Sequence, residues 1–157
     1  MIKIRHINNH IYEATNGKDI IIIDPKKYTP VDMFVTGLAN CSAYDVVELS
    51  KAKGEIENFT LEVEYKRKET YPKIFTEFHF IYSFNSKADN MTARRWVLSS
   101  LETYCSTINT VRNTSKIYYT IKHNGETIAF KESILSGQTH ENIREEFEDD
   151  DGFGCIA

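Results

Sequence analysis

An α+β fold with antiparallel sheets follows from three features of this sequence. One long segment over residues 30–53 is apolar at nearly every helical position of its first two-thirds, alternating strand segments sit in groups on either side of it, and two Asn-Gly turns join apolar runs. Strands that come in runs, rather than singly between helices, argue for α+β over βαβ units. Neither a GxGxxG nor a GxxxxGK phosphate loop occurs, in agreement with setting aside a doubly wound nucleotide fold.

The chain opens with a short meander: Ile2 and Ile4, then residues 10–14, a turn at Asn16-Gly17, and a strand over residues 19–23. Asn and Gly both tolerate positive φ, so this pair fits a tight hairpin. Next, Thr29, Pro30 and Asp32 supply an N-cap hydroxyl, a proline at the first helical position and a carboxylate at N3. The helix they start runs to a stop near Gly54, with Lys51 and Lys53 in its last turn, where the helix dipole favours cations. Its apolar circumference predicts burial in the middle of a domain or an oligomer.

Phe59, Leu61, Val63 and Tyr65 alternate with polar residues, as do Phe78, Phe80, Tyr82 and Phe84, which predicts two strands around a loop at Pro72. A second helix begins near Asn90, where Met91, Trp96, Val97, Leu101, Tyr104, Cys105 and Ile108 recur at helical spacing. Ile117, Tyr119 and Ile121 then form a strand, Asn124-Gly125 turns it, and residues 127–130 return. The domain is expected over residues 1–136, followed by an acidic tail over residues 137–157 that is loosely structured.

Among the 157 residues, 41% are hydrophobic and 27% charged, the composition of a soluble globular protein with a real core. The run Ile20–Ile23 stops at Asp24, far short of the roughly 20 apolar residues a membrane helix needs. Residues 1–6 show no apolar signal core, so a cytoplasmic protein is expected. The net charge of −4 divides into −6 on residues 141–151 and +2 elsewhere, which leaves no concentrated basic face for nucleic acid. His6, His10, His79, His123 and His140 form no HExxH pattern and read as strand, turn or tail residues.

Three cysteines are too few for a disulfide framework, and Cys41, Cys105 and Cys155 lack the spacing of a structural zinc site. Taken singly, Cys41 and Cys105 read as small core hydrophobes and Cys155 as an exposed thiol. No metal or organic cofactor is expected.

The context of the first two cysteines carries more. Pro30, Cys41-Ser42-Ala43-Tyr44-Asp45-Val46-Val47 and Lys51-Ala52-Lys53-Gly54, with Ser100 and Tyr104-Cys105 further on, resemble the two motifs of the OsmC/Ohr family of osmotically induced and organic hydroperoxide resistance proteins, in its less characterised branch. The motif cysteines stand 64 residues apart with two aromatic strands between them, and the resemblance covers residues 1–131. It implies an intertwined homodimer in which antiparallel sheets wrap around long central helices, with sites at the subunit interface. It further implies a cofactor-free peroxidase in which Cys41 attacks an organic hydroperoxide, Cys105 resolves the product, and a separate thiol reductant closes the cycle.

The family's peroxidases support the thiolate with an N-terminal arginine and a glutamate just after the helix-starting proline. Here that position holds Val31, the nearest carboxylate is Asp32, and Arg5 is the only arginine before Cys41. Asp32 reads as a cap. Asp45, four residues after Cys41 on the same helix face, reads as a structural polar anchor and secondarily as a site residue. Phe34, Phe78, Phe80 and Trp96 read as core, with a secondary role as an apolar approach for substrate. Two further readings stay open: a dimeric module binding a small molecule or electrophile without turnover, and an interaction protein docking through its acidic tail.

Overall fold

The computed structural model describes residues 1–135 and contains seven strands and three α-helices among them. The expected acidic tail, with Cys155 and His140, lies outside the described residues. Two compact units divide the chain at Gly37.

In the first unit, β1 (Lys3–Asn8), β2 (Ile11–Thr15) and β3 (Ile20–Ile23) form an antiparallel sheet in the order β1-β2-β3. Asn16 builds the expected turn: its side-chain oxygen accepts from the Lys18 and Asp19 backbone N–H groups, and Gly17 takes φ +96°. Helix α1 (Pro30–Ser50) begins in this unit and continues into the second. Its start is a reciprocal capping box, in which the Asp32 N–H donates to Thr29 Oγ1 at 3.1 Å and the Thr29 N–H donates to Asp32 Oδ2 at 2.9 Å. The helix ends earlier than expected. The chain leaves it through a turn closed by Gly54 N–H to the Ser50 carbonyl, with Gly54 at φ +142°, so Lys51 and Lys53 lie just past the last turn.

The second unit holds a four-stranded sheet of β4 (Glu57–Arg67), β5 (Phe75–Asn85), β6 (Lys116–His123) and β7 (Glu126–Ser133), in that order. Both hairpins, β4-β5 and β6-β7, are antiparallel, but β5 and β6 run parallel. This corrects the all-antiparallel expectation. The helical segment over residues 90–111 carries the chain from the end of β5 back to its starting level, so β6 must enter in the same direction.

The inward positions of the two central strands make the core. Phe78, Phe80, Tyr82 and Phe84 on β5 and Ile117, Tyr119 and Ile121 on β6 are buried, each phenylalanine worth about 1.5–3 kcal/mol by area. Helix α2 (Asn90–Ser99), N-capped by Asp89 accepting from the Thr92 N–H at 2.9 Å, contributes buried Ala93, Trp96 and Val97. Phe78, Phe80 and Trp96 are therefore packing residues, while Phe34 is half-exposed within the chain.

The sequence suggested one second helix of uncertain end, and the structure shows three pieces. After α2 comes a π-helical turn over Ser100–Tyr104, then Cys105 in extended conformation at φ −66°, ψ +104°, then α3 (Ser106–Val111). The Cys105 N–H donates to the Ser100 carbonyl five residues back at 2.9 Å. Side chains bridge the break: Asn109 Nδ2 donates to the Thr103 carbonyl and also to the Cys105 carbonyl, which already accepts the Asn109 N–H, and Arg112 Nη1 donates to the carbonyl of Glu102. Beneath them Arg112 Nη2 meets Glu102 Oε2 at 2.6 Å, with both side chains almost fully buried.

Candidate active site

Cys41 lies midway along α1, and Asp45 is one helical turn further on the same face. Cys105 lies at the break before α3. The π turn sets where that break falls, so the widened turn after Ser100 is what aims the Cys105 side chain. The two sulfurs and a carboxylate oxygen of Asp45 lie within 4.8 Å of one another. Cys41 is half-buried, Cys105 is fully buried, and Asp45 is 4% exposed.

Four hydroxyl or carboxylate groups run past the sulfurs in a buried chain. Tyr82 Oη and Ser42 Oγ are 2.6 Å apart, Ser42 Oγ and Ser100 Oγ are 2.8 Å apart, and Ser100 Oγ lies 3.1 Å from Asp45 Oδ2. Burial pushes the Tyr82 phenol well above its ordinary pKa, so it stays neutral. Asp45 thus has the anchoring contact that a carboxylate on an apolar helix requires, and it is also beside both thiols.

The pKa values of the two thiols are shifted in opposite directions. Burial opposes a Cys41 thiolate, but the Thr107 backbone N–H, the Cys105 thiol and the Thr107 and Ser106 hydroxyls favour it, and together they hold Cys41 below the ordinary thiol value. Ser106 Oγ is 3.9 Å from Cys41 Sγ. Cys105 is pushed up to about 12, chiefly by burial, with the neighbouring Cys41 sulfur adding to the rise. Thr107 Oγ1 lies 3.2 Å from Cys105 Sγ. The site therefore offers one thiol poised to ionise and one that keeps its proton.

Arg5 and Asp32 belong to the first unit, and each is engaged there. Arg5 makes a two-pronged ion pair with Glu13, at 3.2 and 2.8 Å, which holds the Glu13 carboxyl below its usual range. Asp32 is held low by its hydrogen bonds from Thr29, the cap the sequence suggested. His79 contacts Glu64 and Thr120, and His123 contacts Ser86 and Asn90, as strand residues with structural partners.

Sequence reasoning missed Tyr82, Ser106, Thr107 and the Glu102–Arg112 pair. The Ser-Thr pair directly after Cys105 was the available signal for the donors. A tyrosine among phenylalanines on β5 was the signal for a polar group inside the core that needs a buried partner. Nothing in the spacing of Glu102 and Arg112 marked them as partners across a π turn.

An α+β protein with a two-sheet architecture and a close thiol pair is the class that fold and site define. The sequence matches the family model for OsmC-like protein over residues 23–120, and the chain belongs to that family. Similar solved structures include a hypothetical protein from Aquifex aeolicus VF5, with 23% identity, TM-score 0.69, and coverage of 79% of this chain and 96% of that one. An OsmC-like protein from Mycoplasma pneumoniae has 17% identity, TM-score 0.66, and coverage of 78% and 96%. An organic hydroperoxide resistance protein OsmC from Legionella pneumophila has 18% identity, TM-score 0.56, and coverage of 78% and 95%. No curated protein matches the sequence significantly. No helix among the described residues is long and apolar enough to cross a membrane.

Proposed function

We propose that this protein is a thiol peroxidase that reduces organic hydroperoxides, with Cys41 as the attacking sulfur and Cys105 as the resolving one. The observation that carries the reading is the pair of sulfurs within 4.8 Å whose pKa values are displaced in opposite directions. Family membership and the named activity of the Legionella relative support it at the level of a peroxidase-like role.

The chemistry uses the asymmetry of the pair. The Cys41 thiolate attacks one oxygen of the peroxide, the O–O bond breaks, and the alkoxide takes a proton and leaves as the alcohol. Cys41 is then a sulfenic acid, an electrophile that no longer raises the pKa of its neighbour as a thiolate does. Cys105 gives up its proton and its sulfur attacks Cys41, forming the disulfide and expelling water. An external dithiol restores both thiols by exchange. Donors from residues 105–107 supply thiolate support that does not depend on a carboxylate at position 31.

A homodimer completes this reading. Every residue of β1 is exposed and β3 presents Ile20, Ile21 and Ile22 to solvent, so the first sheet has almost no core of its own. Tyr44 and Val47 on α1 are exposed too. Apolar area on this scale marks an interaction surface, and a second copy of the chain is the partner proposed. A cytoplasmic setting suits thiols that must be returned to the reduced state.

A second reading, a binding module without turnover, is favoured by Val31 and by the engagement of Arg5 with Glu13. Turnover separates the two. With excess dithiothreitol, reduced protein should convert cumene hydroperoxide to its alcohol over many cycles, and Cys41→Ser should abolish this. Consumption no faster than dithiothreitol alone would overturn the peroxidase reading.

A further inference from the structure

We infer that the reduced site binds a borderline-soft divalent cation, Zn2+, through Cys41 Sγ, Cys105 Sγ and a carboxylate oxygen of Asp45, and that disulfide formation expels it. The inference rests on the side-chain cluster and stands independently of peroxide turnover.

Three observations converge on this site. Two thiols and one carboxylate are a donor set suited to zinc, which takes sulfur at about 2.3 Å and carboxylate oxygen at about 2.0–2.2 Å. Two sulfurs and one oxygen at those radii around a tetrahedral ion stand roughly 3.5–3.8 Å apart. The observed donors, all within 4.8 Å of one another, need contract by no more than about 1.3 Å to reach that spacing. The three residues also come from two rigid pieces, Cys41 and Asp45 one turn apart on α1 and Cys105 at the fixed break before α3.

The surroundings are those of a ligand set. Ser100 Oγ donates to Asp45 Oδ2 and would orient the carboxylate, while Ser106 Oγ lies 3.9 Å from Cys41 Sγ and Thr107 Oγ1 3.2 Å from Cys105 Sγ. The Ser100 hydroxyl is itself fixed by Ser42, which is fixed by Tyr82. A dication would replace the thiol protons, since zinc takes cysteine as the thiolate. Three protein donors leave one position of a four-coordinate ion for a water or another ligand.

Oxidation removes the ligands. When a two-electron oxidant converts the pair to a disulfide, both electrons leave the sulfurs, no thiolate remains, and a single carboxylate cannot retain the ion. Binding and oxidation are therefore mutually exclusive, and a bound cation shields Cys41 from reaction.

The test uses the full chain with Cys155→Ser, which removes the third thiol. Reduced protein is titrated with Zn2+ against a chromophoric chelator, and with Co2+ to read thiolate-to-cobalt charge transfer in the near ultraviolet. One ion per chain is expected, with the charge-transfer band. Cys41→Ser should weaken binding by more than about 100-fold, beyond the about 10–100-fold that loss of a ligand's partner costs. Asp45→Asn should weaken it while retaining the sulfur-to-cobalt band.

Diamide, an azo oxidant that takes up two electrons and two protons as the disulfide forms, should release the ion without any peroxide chemistry. Zinc that the chelator removes completely, or that Cys41→Ser and Asp45→Asn hold as tightly as the parent, would overturn the inference. Because neither readout involves hydroperoxide, those results leave the peroxidase proposal standing, and a protein inert to hydroperoxide leaves this one standing.

Discussion

Replacing Arg112 with methionine is the sharpest test of how the Cys105 segment is held. The Arg112 and Glu102 side chains are 8% and 4% exposed and meet at 2.6 Å, and Arg112 also donates to the Glu102 carbonyl at 2.9 Å and to Asn109 Oδ1 at 2.7 Å. Glu102 Oε1 in turn accepts from the Leu135 N–H at 2.7 Å. Removing only the cation strands a buried carboxylate, a loss of about 3–5 kcal/mol. For a chain of this size that corresponds to a fall in Tm of roughly 6–20 °C. Adding Glu102→Gln removes the stranded charge while its amide oxygen still accepts from Leu135, so the double variant should regain at least about 1.5 kcal/mol, since orphaned charge rather than lost pairing dominates the penalty. Urea denaturation of the parent, both single variants and the double variant measures this. A cost below about 1 kcal/mol for Arg112→Met, or a double variant no more stable than it, would refute the reasoning.

Further consequences concern the thiols and the surface. Between pH 7 and 8, iodoacetamide should label Cys41 well before Cys105, since Cys41 is held below the ordinary thiol value and Cys105 is pushed up to about 12; peptide mass spectrometry reads the order. A raised folded-state pKa favours the neutral form, so the contribution of Cys105 is full below the unfolded value of about 8.5 and is lost as pH climbs toward about 12; Cys105→Ala should flatten that alkaline loss of stability. Ser42→Ala leaves the Tyr82 hydroxyl and Ser100 without their shared partner and should cost about 1–3 kcal/mol, with non-additivity against Tyr82→Phe in a double-mutant cycle. For the proposed homodimer, the parent should sediment as a dimer and Ile21→Lys, placing a charge on the exposed apolar strand β3, should shift it toward the monomer; a parent that sediments as a monomer would overturn the dimer proposal.

Much of the fold could be read from local signals because those signals are strong where the backbone itself demands a residue type. Asn16-Gly17 and Asn124-Gly125 fall in turns where Gly17, Asn124 and Gly125 take positive φ, and Thr29, Pro30 and Asp32 begin α1 as a capping box. Alternation on β5 marked the buried Phe78, Phe80, Tyr82 and Phe84, whereas on β4 it marked half-buried Phe59, Leu61 and Val63 and an exposed Tyr65, and the buried His79 fell outside it. The parallel pairing of β5 with β6 escaped because periodicity says which face a strand buries and nothing about its direction. The π turn escaped because Leu101, Tyr104 and Cys105 keep an apolar spacing that an unbroken helix would also show. At the site, the cysteines could be recognised by motif and Asp45 by its place one turn from Cys41. The donors from Ser106 and Thr107 depend on a backbone break that no residue type demands.

The central claim is that Cys41 and Cys105 work as one redox pair. Its most direct measurement is to treat reduced protein with one equivalent of cumene hydroperoxide and map the oxidised sulfurs by peptide mass spectrometry. A Cys41–Cys105 disulfide formed with loss of two thiols, and replaced by a Cys41 sulfenic acid in Cys105→Ser, is the predicted result. Both thiols intact after prolonged exposure, or Cys105 oxidised while Cys41 remains free, would contradict the account.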